Sequence, residues 1–404
     1  MGNVGSAAED GKHRAVRRVV EGLVACLGLA LLVGAWRADW HWYEVHATWC
    51  YCAQTGRQVG LWRFWRGAAI GGGALLLVLG VPALGRRAER VRGGELLAWV
   101  TRLGAAVLLA AVASEALLHA FPRRHKQGLY LDAAWEPDDR YGWLPAAARD
   151  TEIRIQGRTL RFVTDENRYR VRSPGVRVDF AAPTILSTGE SVASGYALDY
   201  DETYAALLAE RLGVQVANLA VTGYGADQAY LRLADELPRF VHPIATVTTV
   251  LPFALERTVA PDRPHFLPAP SGALLVEPPR DRTLAGRSRL LSFLADATGY
   301  HSDDAIARTR AILTATDRIS RERGAFALFV LLDWPECLPD DTGAPSIERT
   351  IFEGLTIAHV HVHVPREDWD DVMYHPNAAG QRIIADAIER ALVDRGAVAA
   401  APFP

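Results

Sequence analysis

Apolar positions are spread unevenly along this chain. Three long runs fall within the first 121 residues, at about residues 19–38, 67–85 and 96–121. The middle run holds no charged residue and is bracketed by Arg66 and Arg86. About 20 apolar residues cross a bilayer as a helix, so each run is long enough to span one. Arg17 and Arg18 precede the first run and Arg37 closes it. The third carries Arg102 near its start and Glu115 near its end, where long side chains can reach the interface. Three Arg-edged runs so close together fit membrane spans better than the buried helices of a soluble core. The basic N-terminus (Lys12, Arg14, Arg17, Arg18) and the loop with Arg86, Arg87, Arg90 and Arg92 are expected to face the cytoplasm. Arg37, Arg57, Arg63 and Arg66, and the basic cluster Arg123, Arg124 and Lys126, weigh the other way. With three spans and a cytoplasmic N-terminus, everything after Phe121 is expected to lie outside the cytoplasm. No small-residue cleavage site closes the first run, where Trp36-Arg37 stands, so it reads as an anchor.

Beyond this membrane region (1–121) the pattern changes twice. Residues 122–180 form a polar lead-in, in which "EIRIQGRTLRFV" alternates apolar and polar around a glycine and predicts a small hairpin. From residue 183 short apolar strands alternate with longer helical periods. Strands are expected in "PTILST", "VQVANLAV", "ATVTTVL", "AFALFVLL" and "LTIAHVHVHV", and helices at about 202–212, 226–237, 303–323 and 378–393. A Pro- and Arg-rich insert at about 252–288 contains "RPHF" and "GALLVEPP", which suggest a second hairpin near the end of strand three. Such alternation predicts an α/β domain over 181–397, a three-layer doubly wound parallel sheet with helices on both faces. Ligands of such sheets gather at the carboxyl ends of the strands.

The whole chain, 404 residues with a formal net charge of -3, offers no basic face for nucleic acid. The loop after the first run is dense in Trp and Tyr, as at an interfacial aromatic belt. Its His41, His46, Cys50 and Cys52 match no strong zinc spacing, and with Cys26 and Cys337 they make no disulfide framework. His359, His361 and His363 share one face of the last strand, but parallel sheets are covered on both faces, so they are left outside the site. No metal and no cofactor is expected.

Three short stretches could carry chemistry. Gly189-Glu190-Ser191 stands where the first strand of the domain ends. Ser191 there is either a helix cap or a nucleophile at a helix N-terminus, where backbone N–H groups favour a developing anion. After strand two, Thr222-Gly223-Tyr224-Gly225 makes a turn whose backbone could approach a ligand closely. Finally, "DWDDVMYHPNAAG" sets His375 just before Asn377, a credible N-cap for the last helix. Asp370 or Asp371 could fold back and hold the imidazole Nδ1–H, leaving Nε2 as base.

Taken in order, Gly-x-Ser, then Asn218 to Gly223 as Asn-x-x-x-x-Gly, then Asp and His-Pro-Asn, resemble the SGNH (GDSL-like) hydrolase superfamily. With "RYGWLP" and "TDENRYRVR" included, the resemblance covers about residues 135–395. It implies the flavodoxin-like fold of that family. It also implies Ser191 as nucleophile, His375 as general base, Asp371 or Asp370 as its orienting acid, and the N–H groups of Ser191 and Gly223 as oxyanion donors. Three positions depart from the family pattern. Glu190 stands where Asp is usual, Val372 where the acid three residues before His is usual, and Phe253, Ala254 and Leu255 where an oxyanion Asn is usual. The implied activity is a membrane-anchored serine esterase outside the cytoplasm, acting on acyl, above all acetyl, esters of a cell-surface or exported glycan. A glycan O-acyltransferase component with an envelope-complex partner, or an inactive glycan-binding module, are the alternatives. The lipid bilayer is the other expected partner.

Overall fold

The computed structural model describes residues 4–37, 56–88, 105, 108–109, 111–116, 134–155, 157–260, 263–268, 274–277, 288, 302–333, 347–370 and 375–399. The chain forms two compact units, one of Met1–Thr48, Gln54–Arg123 and Ser288–Gly299, the other of Trp49–Ala53, Arg124–Arg287 and Tyr300–Pro404.

In the first unit, α1 (Val4–Arg37) packs beside α2 (Gly56–Leu75), which runs through a π-helical stretch (Leu76–Gly80) into α3 (Val81–Ala88). The helices approach closely because two glycines face each other. A Cβ on Gly73 would press on the Gly28 carbonyl oxygen at 2.8 Å, and one on Gly28 would meet Leu77. Small residues at such crossings are how helices pack where water supplies no driving force. The segments Arg17–Arg37 and Trp62–Arg86 are long and apolar enough to cross a membrane, and only 11% and 6% of them is buried. Leu23, Leu27, Phe64, Trp65, Val78 and Leu79 point outward. Two such helices therefore stand among the described residues, where the sequence predicts three. The predicted span at 96–121 lies largely outside the described residues, as do His41, His46, Cys50, Cys52 and Cys337.

The second unit opens with two antiparallel hairpins. β1 (Trp135–Asp138) pairs with β2 (Gly142–Pro145), and β3 (Asp150–Ile155) with β4 (Arg158–Val163). The second is the hairpin that alternation predicts. The first, whose second strand lies in "RYGWLP", has too short a pattern to read, and its Trp143 side chain is buried.

The parallel core follows in chain order: β5 (Pro183–Thr188), α4 (Ser191–Ser194), α5 (Tyr204–Leu212), β6 (Gln215–Asn218), α6 (Ala226–Glu236) and β7 (His242–Val250). After a 3₁₀ stretch (Pro252–Val259) the insert forms β8 (His265–Pro268) and β9 (Leu274–Glu277), an antiparallel pair as expected. Then come α7 (Ser302–Glu322), β10 (Phe326–Leu332), α8 (Ile347–Phe352), β11 (His359–Val362) and α9 (Ala378–Asp394). All neighbours in the sheet are parallel, in the order β11-β10-β7-β5-β6. Numbered within the sheet this is 2-1-3-4-5, the doubly wound order whose crevice opens beside the first and third strands.

β10 shows why the layers form. Leu328 and Val330 join Ile185, Val247, Leu208 and Ile384 on one face, with α5 and α9, while Phe329 and Leu331 pack with Leu313 of α7 on the other. Side chains that alternate across a doubly covered strand meet packed helices on both sides, which favours an apolar run such as that of β10. Two boundaries differ from the periodicity. Helix α5 starts at Tyr204, because Thr203 caps it by accepting from the Ala206 N–H. β6 stops at Asn218, whose side-chain oxygen accepts from the Ala220 N–H and turns the chain.

Candidate active site

β5 delivers the chain to the crevice and Gly189 turns it. Its φ is +139° and a Cβ there would collide with Thr249 Oγ1, so only glycine fits. Glu190 is the N-cap and Ser191 the first residue of α4, which ends after one turn at left-handed Gly195. The sharp turn buries Ser191 beside His375, and Ser191 Oγ lies 2.7 Å from His375 Nε2. A hydroxyl facing an imidazole nitrogen at that distance is the pairing a general base needs. Tyr196 covers the imidazole, with ring centres 4.7 Å apart.

Side chains from four segments hold this turn. Gln381 of α9 donates to the Val192 carbonyl (3.2 Å) and accepts from the Tyr204 N–H (2.8 Å). Asn218 donates to the Ala193 carbonyl (2.9 Å), and the Ser194 and Thr222 hydroxyls share a bond of 2.9 Å. From the lead-in, Arg170 donates to the carbonyls of Ser194 (2.8 Å), Gly195 (2.9 Å) and Leu198 (2.6 Å). Its guanidinium is buried over the Phe162 ring, 5.1 Å from the centroid. Burial pushes its pKa down to about 10, which leaves it charged at neutral pH. Sequence reasoning missed Arg170. No local pattern marks it, because the carbonyls that it serves lie 24 or more residues along the chain.

Glu190, the departure beside the serine, is buried under the turn. Its carboxylate accepts from Thr249 Oγ1 at 3.0 and 3.2 Å. Burial pushes the carboxyl up to about 7, against the opposing pull of Thr249, Arg257 and the N–H groups of Glu190 and Val192.

Gly223, at φ +88°, sits in the turn after β6, and Val221 donates to the Gly189 carbonyl at 3.2 Å, so the two turns lie side by side. Where the family pattern has Asn, Ala254 and Leu255 are buried in the 3₁₀ stretch and Phe253 is half-buried against the core. Arg257 of the same stretch reaches the Gly223 turn and donates to the Tyr224 carbonyl at 2.8 Å.

Around His375 the chain closes a loop. Asp370 N–H donates to the His375 carbonyl and His375 N–H to Asp370 Oδ2, both at 2.8 Å. These two bonds join Asp370 to the backbone of His375. Asp371 lies outside the described residues. Asn377 caps α9 as expected, accepting from Ala379 N–H (2.8 Å) and Gly380 N–H (3.1 Å).

The three strand histidines are elsewhere, paired with carboxylates. His359 and His361 meet Glu348 at 3.2 Å each, and His361 and His363 meet Asp333 at 2.6 and 2.8 Å.

No protein-family model and no curated protein matches the chain. Solved structures that match part of it include G-D-S-L lipolytic proteins and esterases. A lipolytic protein of the G-D-S-L family from Veillonella parvula matches at 10% identity and a TM-score of 0.32, over 53% of this chain and 97% of that one. An acetyl xylan esterase from Butyrivibrio proteoclasticus matches at 12% identity and a TM-score of 0.31, over 55% and 65%. A family two carbohydrate esterase from Clostridium thermocellum, solved with cellohexaose, matches at 11% identity and a TM-score of 0.34, over 55% and 68%. Similarities this distant carry no argument about the chemistry of this chain.

Proposed function

We propose that this chain is a membrane-anchored serine ester hydrolase of the SGNH type. The observation that carries the reading is the 2.7 Å approach of Ser191 Oγ and His375 Nε2 at the switch point of the sheet. In this reading His375 Nε2 takes the proton as Ser191 Oγ attacks an ester carbonyl. The backbone N–H groups of Ser191 and Gly223 receive the oxyanion. The protonated imidazole then gives its proton to the departing alkoxide, and water releases the acid from the acyl-serine by the same route in reverse. Asp371, or Asp370, orients the imidazole. The substrate class is an acyl ester, acetyl foremost, on a cell-surface or exported glycan. Three spans with a cytoplasmic N-terminus would set the domain outside the cytoplasm.

One observation favours a second reading. With Ala254 and Leu255 buried where an Asn donor is usual, one oxyanion donor is missing, and such a donor is worth ~10²–10³ in rate. That suits a slow hydrolase, an acyltransferase component or an inert glycan-binding module. The deciding experiment treats the full chain in detergent with a fluorophosphonate and reads intact mass. A single adduct that disappears in Ser191→Ala and in His375→Ala is expected. A folded wild-type chain that takes no adduct would sink the enzyme reading in favour of the binding module.

A further inference from the structure

Three consecutive carbonyl groups in the Gly223 turn are each taken by a side chain, one from the lead-in and two from the insert. Trp143 Nε1 of β2 donates to the Thr222 carbonyl at 2.9 Å. Arg263, just before β8 in the insert, donates to the Gly223 carbonyl at 2.8 Å. Arg257 of the 3₁₀ stretch donates to the Tyr224 carbonyl at 2.8 Å. A trans peptide is planar, with its C=O and N–H pointing opposite ways. Fixing the Thr222 carbonyl on the indole therefore fixes the direction of the Gly223 N–H, which shares that peptide plane. Among the described residues nothing accepts from the Gly223 N–H.

The clamp is itself braced. Tyr224 donates its hydroxyl back to the Trp143 carbonyl at 2.6 Å, and the two rings meet edge-on at 5.4 Å. Gln228 donates to the Tyr141 carbonyl at 2.7 Å and accepts from Gly225 N–H and from Arg263, both at 3.3 Å. A buried indole N–H needs some acceptor, so Trp143 alone would be ordinary core packing. Arg263, at 2% exposure, is costly to desolvate, and its guanidinium is held against a turn that is itself buried. Bonds donated into a peptide chain also strengthen the donors further along it.

We infer that Trp143, Arg257 and Arg263 are positioning residues that aim the Gly223 N–H at the oxyanion, in place of the side-chain amide missing after β7. The inference rests on the hydrolase reading above. A site with fewer donors depends more on the placement of those it keeps, and a 1 Å misplacement can cost about 10²-fold in rate.

The test measures p-nitrophenyl acetate hydrolysis by the full chain in detergent, per fluorophosphonate-labelled Ser191, for Trp143→Phe, Arg257→Met and Arg257→Lys. Thermal melting runs alongside. The clamp predicts that kcat falls about 10- to 100-fold in Trp143→Phe and Arg257→Met at unchanged KM. Arg257→Lys, which keeps a charged donor, is expected to recover part of the loss. Inhibition by a boronic acid, which forms a tetrahedral serine adduct, should weaken in parallel with kcat. Arg257 is half-buried, so its variants keep the test open if Trp143→Phe does not fold. Variants that melt earlier but keep kcat per labelled serine make the three residues structural only and overturn the clamp. A wild-type chain inert to both reagents overturns the hydrolase reading itself, and the clamp with it.

Discussion

His375 and His361 lie close in sequence, yet their rings face opposite kinds of partner. His375 turns Nε2 to a neutral hydroxyl, Ser191 Oγ, in a buried crevice under Tyr196. His361 stands on the edge strand β11 with Nδ1 3.2 Å from Glu348 and Nε2 2.6 Å from Asp333. Both of its nitrogens face carboxylates, an arrangement that favours the doubly protonated ring, and the Asp333 bond raises its pKa. Asp333 is raised by burial, but the bonds from His361 and His363 more than offset this and lower it overall. An imidazolium between two carboxylates has no lone pair with which to take a proton. Histidine content therefore says little about chemistry; the partner of each ring nitrogen decides it.

The sharpest way to break that contrast is to remove each ring. Ser191→Ala and His375→Ala are expected to lower p-nitrophenyl acetate turnover by about 10⁴-fold or more, while His361→Ala should stay within about twofold. Equal losses at both histidines would erase the distinction. Next in size is the scaffold under the serine. Arg170→Met strips three carbonyls of their donor, and urea unfolding should show a loss of about 3–5 kcal/mol.

Glu190 gives a smaller effect with a definite sign. Its folded pKa, about 7, lies above the ordinary 4.5, so the folded chain keeps a proton that the unfolded chain has lost. Stability is then greatest below pH 4.5 and falls as pH rises towards 7, by about 3 kcal/mol at 1.36 kcal/mol per pKa unit. Denaturation of Glu190→Gln across that window should lack this slope. Smallest of all, His361→Asn should cost under about 1 kcal/mol at pH 6, because water screens the exposed pair. Its raised pKa means that the contribution is present below pH 6.5 and lost as pH rises through the folded value, so the variant should match wild type at pH 9.

What could be read beforehand followed repeating physical patterns. Strand β10 is apolar at successive positions because both its faces are covered, β5 and β7 mix apolar residues with small buried Ser and Thr, and α9 carries its own cap in Asn377. The strand end that carries Ser191 and the helix start after His375 were legible because such junctions have local signatures. Arg170, Trp143 and Arg263 were not, because each acts on a backbone carbonyl far along the chain, and such a bond leaves no period. Asp370 was half legible. Its distance in sequence from His375 allowed a turn but could not say whether ring or backbone would meet the carboxylate. The direction of Arg257 depended on the 3₁₀ stretch, which no alternation announces.

The bond between Ser191 and His375 joins residues 184 positions apart. During synthesis the serine emerges long before the histidine, and its hydroxyl is then an ordinary alcohol. On the hydrolase reading proposed above, reactivity would arrive only when β11 and α9 dock, the kind of late, non-local closure that sets slow folding. A chain cut short before that docking would then be harmless, with its serine never switched on.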